Sequence, residues 1–369
     1  MRQIPSFVIT GGDCAGKSTG LSRIRDHLAT LGYTVLIAPE AATSLIGSGI
    51  IPGKIVPNEL FQELIFRRVI SNEKLCMRVA KSLRKTKPII LCDRGLMDGL
   101  AYTTPEHFAK LCRKFRGDVT RFRDARYLAV MHLRTAALGA EEHYTYENNP
   151  ARFARTLDEV RRLDECTMNA WVGHPHLRVI PNKRGNTFDD KINHLIKEIC
   201  HVLGEPVPLE IERKFLVEMP DLSMFPHFAR IEIIQDYLTE RQEGVGRRIR
   251  ARGQSSSWVF TETAKQKLSG LARSEIERTI SEEDYRYLRT YERDPKRATI
   301  RKQRNCFVWE HQYFELDVFQ QPALPHALLE IELTHEGQTV VLPPFLKIIR
   351  EVSNDPKWQN SAIAKRIPV

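Results

Sequence analysis

The sequence predicts two domains in series: an α/β domain on a parallel sheet with helices on both faces, then a domain dominated by antiparallel strands. Three observations carry this. The chain has 369 residues, more than one core supports at about 150 residues per domain. Its first half alternates short apolar runs with helical stretches, the pattern of a parallel sheet. From Leu209 onward the charge pattern takes a period of two, in short segments divided by turn residues, as in an antiparallel sheet or barrel. The break falls at Gly204-Glu-Pro-Val-Pro208, where prolines end the helical pattern of Lys191 to Leu203. The predicted domains are therefore 1–204 and 205–369.

Composition narrows the class. With 42% hydrophobic and 28% charged residues, the chain is globular and able to bury cores. Seven cysteines without a CxxC pair read as reduced thiols, against a disulfide frame or a sulfur-ligated zinc. No apolar run approaches the roughly 18 residues of a membrane helix, which predicts a soluble, cytoplasmic protein. The net charge of +10 is uneven: residues from Leu209 carry 25 Lys+Arg against 24 Asp+Glu, the preceding ones 31 against 22. A basic first half suits nucleotides, RNA or an acidic membrane surface, although no DNA or RNA module is recognisable.

The first strand, Phe7 to Thr10, runs into Gly11-Gly12-Asp13-Cys14-Ala15-Gly16-Lys17-Ser18-Thr19 and a helix to about Leu31. Strand, glycine-rich loop and helix form a phosphate-binding loop. Its amides converge on phosphates, Lys17 reaches the β and γ groups, and the Ser18 hydroxyl ligates Mg²⁺. The next strand, Thr34 to Ala38, ends at Glu40. That position suits a general base or a ligand for a substrate hydroxyl; a solvated strand-end acid is the alternative. After a long amphipathic helix capped by Asn58, the apolar strand Ile89 to Cys92 ends in Asp93-Arg94. Asp93 is the candidate partner of a Mg²⁺-bound water, and Arg94 the candidate phosphate contact. Tyr127 to Leu133 and Leu177 to Ile180 complete the strands. Arg152, Arg155, Arg161 and Arg162 share a helix, as a lid over phosphates or as a solvent face. The loop Pro181-Asn-Lys-Arg-Gly185 lacks the aspartate that selects guanine, so ATP and GTP both stay open.

This half resembles the NadR-like branch of P-loop ATPases and kinases, through VITGGDCAGKST, PEAAT at Pro39 to Thr43 and DRGLMDGLAY at Asp93 to Tyr102. The resemblance implies a nucleotide-binding domain. It also implies the catalytic-base role for Glu40 that the equivalent acid has in the related deoxynucleoside kinases.

In the second half, polar and mostly charged residues recur at i and i+2: Glu210/Glu212/Lys214, Arg248/Arg250/Arg252, Thr263/Lys265, Arg273/Glu275/Glu277, Lys302/Arg304, Glu315/Asp317 and Glu330/Glu332. Such residues share one face of a strand. An ionic outer face of a sandwich explains the period. Clustered like charge is costly unless neutralised, and Mg²⁺ or Mn²⁺ for the acids with a polyphosphate for the cations would neutralise it.

EIERK at Glu210 to Lys214 resembles the first strand of the CYTH superfamily of triphosphate tunnel metalloenzymes. The likeness continues in order through QDYL, RIR, TAK, RSEIE, KQR, ELD, EIE and DPKWQNSAIA. It implies a closed tunnel of about eight antiparallel strands with inward charges. Glu210, Glu212, Glu330 and Glu332 would hold metal with Asp317 and the Glu275/Glu277 pair assisting, and Glu212 and Lys214 would serve catalysis. Lys214, Arg248, Arg250, Lys265, Arg273, Lys302 and Arg304 would grip a triphosphate, with Lys357 at one end. The fusion as a whole resembles the TRPL translocation defect family, GTP- and phosphoinositide-binding trafficking factors. Two function classes follow from the resemblances. One is a Mg²⁺- or Mn²⁺-dependent triphosphatase coupled to an ATP- or GTP-using module, itself an NTPase or small-molecule kinase. The other is a nucleotide-switched binder of phosphoinositides, peripheral at membranes.

Overall fold

The structure is a computed structural model describing residues 4–144, 156–183, 185–205, 211–241, 245–254, 256–267, 273–335 and 337–365, with backbone alone for 265–267 and 273–276. Glu210, Arg152 and Arg155 lie outside the described residues, as do the side chains of Lys265, Arg273 and Glu275. The chain divides into two compact units, Met1–Ile199 and Cys200–Val369. Among the described residues no helix is long and apolar enough to cross a membrane.

The first unit carries strands β1 (Ser6–Gly11), β2 (Tyr33–Ala38), β3 (Lys87–Asp93), β4 (Ala129–Leu133) and β5 (Leu177–Ile180). They form one sheet in the order β2-β3-β1-β4-β5, every neighbouring pair parallel. All six residues of β1 and all five of β4 are buried. Strands covered on both faces read as continuous apolar runs, which is why this sheet shows no alternation. Helices α1 (Lys17–Thr30), α2 (Ala41–Gly47), α3 (Asn58–Ser82), α4 (Pro105–Lys114), α5 (Val119–Asp124), α6 (Leu157–Trp171) and α7 (Phe188–Leu203) surround it. Asn58 is the first residue of α3, the cap position being Pro57. Because β1 lies between β3 and β4, the loop after Gly11 opens beside Asp93 on one side and Leu133 on the other. This is the crevice at the carboxyl ends of a parallel sheet.

Gly11 has φ +135°, and a Cβ there would stand 1.9 Å from the Leu133 carbonyl oxygen. Backbone against backbone leaves no flexible group to yield. Gly11→Ala is therefore expected to cost the first unit about 3 kcal/mol or more, measured as a fall in its denaturant midpoint; an unchanged midpoint would contradict it.

The second unit is built on β6 (Ile211–Val217), β7 (Phe228–Leu238), β8 (Val245–Gln254), β9 (Ser257–Lys267), β10 (Arg273–Ile280), β11 (Ile300–Trp309), β12 (Gln312–Gln321), β13 (Ala327–Leu333) and β14 (Ile348–Glu351). The order is β10-β9-β8-β7-β11-β12-β13-β6-β14, all antiparallel. It is an open ladder of nine strands. Among the described residues no pairing joins β10 to β14, so the closed ring of about eight expected from the sequence is not formed by hydrogen bonds.

Alternation divides the two faces. Phe215, Val217, Phe307, Phe314, Leu316, Leu329 and Ile331 join one core cluster. Lys214, Lys302, Arg304, Asp317 and Glu330 occupy the alternate positions. Two residues after Lys214 and Asp317, and two before Glu330, the charged face turns apolar at Leu216, Phe319 and Leu328, which pack with Val352 and Ile363. Helices α8 (Glu282–Tyr291) and α9 (Asn360–Ile363) complete the unit. Tyr285 and Leu288 of α8 pack on Leu238, Ile249 and Ala251.

Candidate functional site

Gly16, in the left-handed region at φ 87° and ψ 20°, ends the phosphate-binding loop and caps α1. Lys17 opens the helix, and its ammonium donates to the carbonyls of Gly11 at 3.1 Å and Gly12 at 2.7 Å. Burial and the nearby Arg94 lower its pKa, against Glu40, Asp93 and Asp13. Ser18 and Thr19 are exposed on the first turn. A helix N-terminus following a glycine-rich turn presents amides and a positive dipole end to an anion.

Three of the acids and the arginine read from the sequence meet here. Arg94 Nε donates to Glu40 at 2.7 Å and its guanidinium lies 4.0 Å from Asp13. Glu40 also accepts from the Thr43 hydroxyl. Burial opposes its charge, but Arg94, Thr43 and Lys17 prevail and hold the carboxyl below its usual value. Asp93 is pushed up to about 6 by burial and by Glu40, and its Oδ1 is buried without a hydrogen-bond partner. An orphaned carboxylate oxygen beside a phosphate-binding loop fits a hydrated hard cation. Asp98 plays a different part: it accepts from the Thr10 hydroxyl, the Gly95 amide and the Trp171 indole and ties the strand ends together. Arg161 donates to the Ala137 carbonyl and pairs with Asp158 and Glu141.

Asp164 and Lys191 lie directly beneath the loop, and neither stands out in the sequence. Asp164 accepts from the Gly12 amide at 2.8 Å and the Thr135 amide at 3.2 Å. Its partners are 152 and 29 positions away, so no local motif announces the contact. Asn182, read as a base-loop residue, instead braces the strand ends through Thr135 and Leu138 carbonyls at 2.7 Å each.

In the second unit the register sets acids against acids as well as against cations. Glu212 faces Glu332 and Lys214 faces Glu330 across β6 and β13; Glu315 faces Glu330 across β12 and β13, and Arg304 faces Asp317 across β11 and β12. The Lys214 ammonium sits 2.7 Å from Glu330 and 3.0 Å from Glu212. Arg304 spans Asp317 at 2.7 Å through both Nε and Nη2, Glu330 at 2.8 Å, and Glu315. Lys302 is fully buried against Asp317.

The two glutamates on Lys214 are held differently. Burial opposes charge on Glu330, but Lys214, Lys302 and Arg304 hold it well below the usual range. Enclosure and the charge of Glu330 push Glu212 up to about 7. Since 41% of the Glu212 side chain is open to solvent, water offsets part of this rise, and the order of the two is what the contacts fix. Burial likewise opposes the Lys214 charge, yet Glu330 and Glu212 raise it above its ordinary value.

Other predicted ligands lie further along the sheet. Arg250 donates to Gln235 at 3.3 Å on β7, and Arg248 lies two positions before it, opposite Tyr237. Glu332 is 3.4 Å from His201 Nε2. Lys357 is exposed on a short 3-10 turn, Pro356–Trp358. Among the described residues no group of three His, Cys, Asp or Glu side chains is arranged as a cation cage; the acids of this face bind Lys and Arg instead.

Comparison with known proteins finds two kinds of likeness. A family model described as an AAA domain matches residues 6–188. An inorganic triphosphatase of Nitrosomonas europaea is 31% identical over 162 residues, 43% of this chain and 99% of that protein. The chain belongs to the family of that triphosphatase. Among solved structures, one of an inorganic triphosphatase aligns at 30% identity over 44% of this chain and 97% of its own, with a TM-score of 0.33. A thymidylate kinase from Ehrlichia chaffeensis aligns at 14% identity over 55% and 100%, with a TM-score of 0.38.

Proposed function

We propose that residues 205–369 of this triphosphatase relative hydrolyse a triphosphate, and that residues 1–204 bind ATP or GTP at the phosphate-binding loop. We assign the 162-residue likeness to the second unit because the AAA model takes up residues 6–188 and the ordered charge motifs begin at Glu210.

One observation carries the hydrolase reading. Lys214 is shared between two carboxylates of unlike proton affinity, on a face that also holds Lys302 and Arg304. Such a face can answer both halves of a metal-triphosphate complex, carboxylates toward cation and ammonium or guanidinium toward phosphate. Glu212, Glu330 and Glu332, with Glu210, would hold Mg²⁺ or Mn²⁺. When bound, that cation supplies a Lewis acid for phosphoryl oxygens and lowers the pKa of its water. Asp317, with its oxygens on Lys302 and Arg304, anchors those two side chains and leaves Lys214 as a phosphate contact. Arg248 and Arg250 extend the cationic surface along β8.

The test is phosphate release from tripolyphosphate and nucleoside triphosphates by the full chain. Release is expected with Mg²⁺ or Mn²⁺ and is abolished by chelator. No metal-dependent release from any triphosphate overturns the reading.

For the first unit, Ser18 and Asp93 would hold the cation of a bound nucleotide, and Lys17 would leave its loop carbonyls for the phosphates. Lys17→Ala is expected to weaken nucleotide binding by about 2 kcal/mol, roughly thirtyfold, the worth of a charge-assisted hydrogen bond. Equilibrium titration with ATP and GTP measures it, and unchanged affinity refutes the loop assignment.

A further inference from the structure

The underside of the phosphate-binding loop is bonded side chain by side chain. The Gly12 amide donates to Asp164 Oδ1 on α6. The Asp13 carbonyl accepts from the Thr135 hydroxyl, just after β4. The Ala15 carbonyl accepts from Lys191 Nζ on α7 at 3.0 Å. Asp164 is fully buried and Lys191 is 7% exposed. Charged groups are placed in such surroundings only when paired; Asp164 has Arg134 and His132 beside it, and both Asp164 and Lys191 also bond loop backbone.

We propose that Asp164 and Lys191 are positioning residues of the nucleotide site, which fix the loop from beneath so that its outward amides form a preorganised phosphate cradle. The proposal rests on the nucleotide reading of the first unit. Two geometric facts carry it. First, the same Asp164 oxygen takes the Gly12 and Thr135 amides, so one carboxylate joins the loop to the end of β4. A Cβ on Gly12 would lie 2.8 Å from that oxygen and 3.0 Å from the Thr135 Cβ, so the close approach requires glycine. Second, Lys191 meets three acceptors: the Ala15 carbonyl, the Arg134 carbonyl at 2.6 Å and Asn182 Oδ1 at 2.8 Å. An ammonium has three hydrogens and all are used; a neutral amine has two.

Deprotonation therefore removes one of these three bonds and one positive charge from under the phosphates. The charged groups around Lys191 are Asp164 on α6, Lys17 on α1 and Arg134 after β4; Asp164 in turn faces His132 on β4 at 3.3 Å and Arg134 at 3.0 Å. Burial, with Lys17 and Arg134 and against Asp164, brings the Lys191 ammonium down to about 8. A bound polyphosphate favours the protonated form, so binding above that pH takes up a proton. Affinity then falls with rising pH, by at most about tenfold per unit. Stability moves the other way. A lysine whose folded pKa lies below its unfolded value makes the unliganded fold gain stability as pH rises from about 8 toward 10.5. A merely structural lysine would give no such opposition.

The experiment titrates a fluorescent ATP analogue into the full chain, without divalent cation, between pH 7 and pH 9.5, with thermal melts in parallel. Wild type is expected to lose up to about tenfold in affinity per unit above pH 8 while its melting temperature holds or rises. Lys191→Met should bind roughly tenfold more weakly at pH 7 and lose most of the pH dependence. Asp164→Asn keeps an acceptor for Gly12 but drops the charge that supports the ammonium, so its fall in affinity should begin at lower pH. That variant also decides the matter if Lys191→Met does not fold. A folded Lys191→Met with wild-type affinity and pH profile, or an Asp164→Asn profile superimposed on wild type, overturns the proposal alone. A wild-type chain that binds no nucleotide overturns it together with the nucleotide reading.

Discussion

Replacing Arg304 with methionine is expected to cost the second unit about 3–5 kcal/mol, the penalty for removing one partner from a buried ionic group. Arg304 is 10% exposed in its side chain and holds three carboxylates: Asp317, Glu330 and Glu315. Methionine matches the stem but leaves Asp317 with Lys302 alone, in a site with no solvent access. Arg304→Lys should fall between, since an ammonium keeps the charge but cannot fork across both Asp317 oxygens. The pH response fixes the sign. Glu330 is held far below its ordinary pKa, so its contribution is full above the unfolded value of about 4.3 and survives well into acid. Without Arg304, Glu330 protonates sooner, and the difference between variant and wild type narrows as pH falls below that value. Chemical denaturation of the full chain, followed through the second unit's transition, measures it. A cost below about 1 kcal/mol would show the network to be solvated like a surface pair.

The same network marks what the sequence can and cannot disclose. Residue parity puts Lys302 with Arg304, Glu315 with Asp317 and Glu330 with Glu332 on one face of their strands, and in the structure those faces adjoin. The parallel sheet was equally open to reading, since Phe7 to Ile9 and Ile89 to Cys92 are apolar throughout, as strands covered on both sides tend to be. Register is another matter. Whether an acid faces metal or arginine depends on which strands become neighbours, and β6 pairs with β13 and β14 across more than a hundred residues. Parity also misses Arg247, which lies on the opposite face from Arg248 and pairs with Glu262 and Glu292. The loop's underside was hidden for the same reason: Asp164 and Lys191 look like ordinary helix charges until tertiary structure brings them to Gly12 and Ala15.

Glu212→Gln should separate chemistry from folding. The side chain is 41% open, the amide has nearly the same volume, and Lys214 keeps Glu330 as partner, so the melting temperature should shift by no more than about 2 °C. Triphosphate hydrolysis should nevertheless fall by at least roughly a hundredfold, because an anionic ligand of a catalytic cation carries several kcal/mol of transition-state stabilisation. Glu212 is also the carboxyl whose pKa is raised, by enclosure and by Glu330. A cation must displace its proton, so the wild-type metal requirement should rise as pH falls, whereas the glutamine variant has no proton to displace there and should lack that response. Glu351→Gln is the control: Glu351 is a carboxylate of the same unit, paired with Arg213 at 2.6 Å, and Arg213 lies on the face opposite Glu212. Its loss should leave the rate unaltered. Equal rates for wild type and Glu212→Gln would remove Glu212 from the metal site and leave Lys214 held between two purely structural acids.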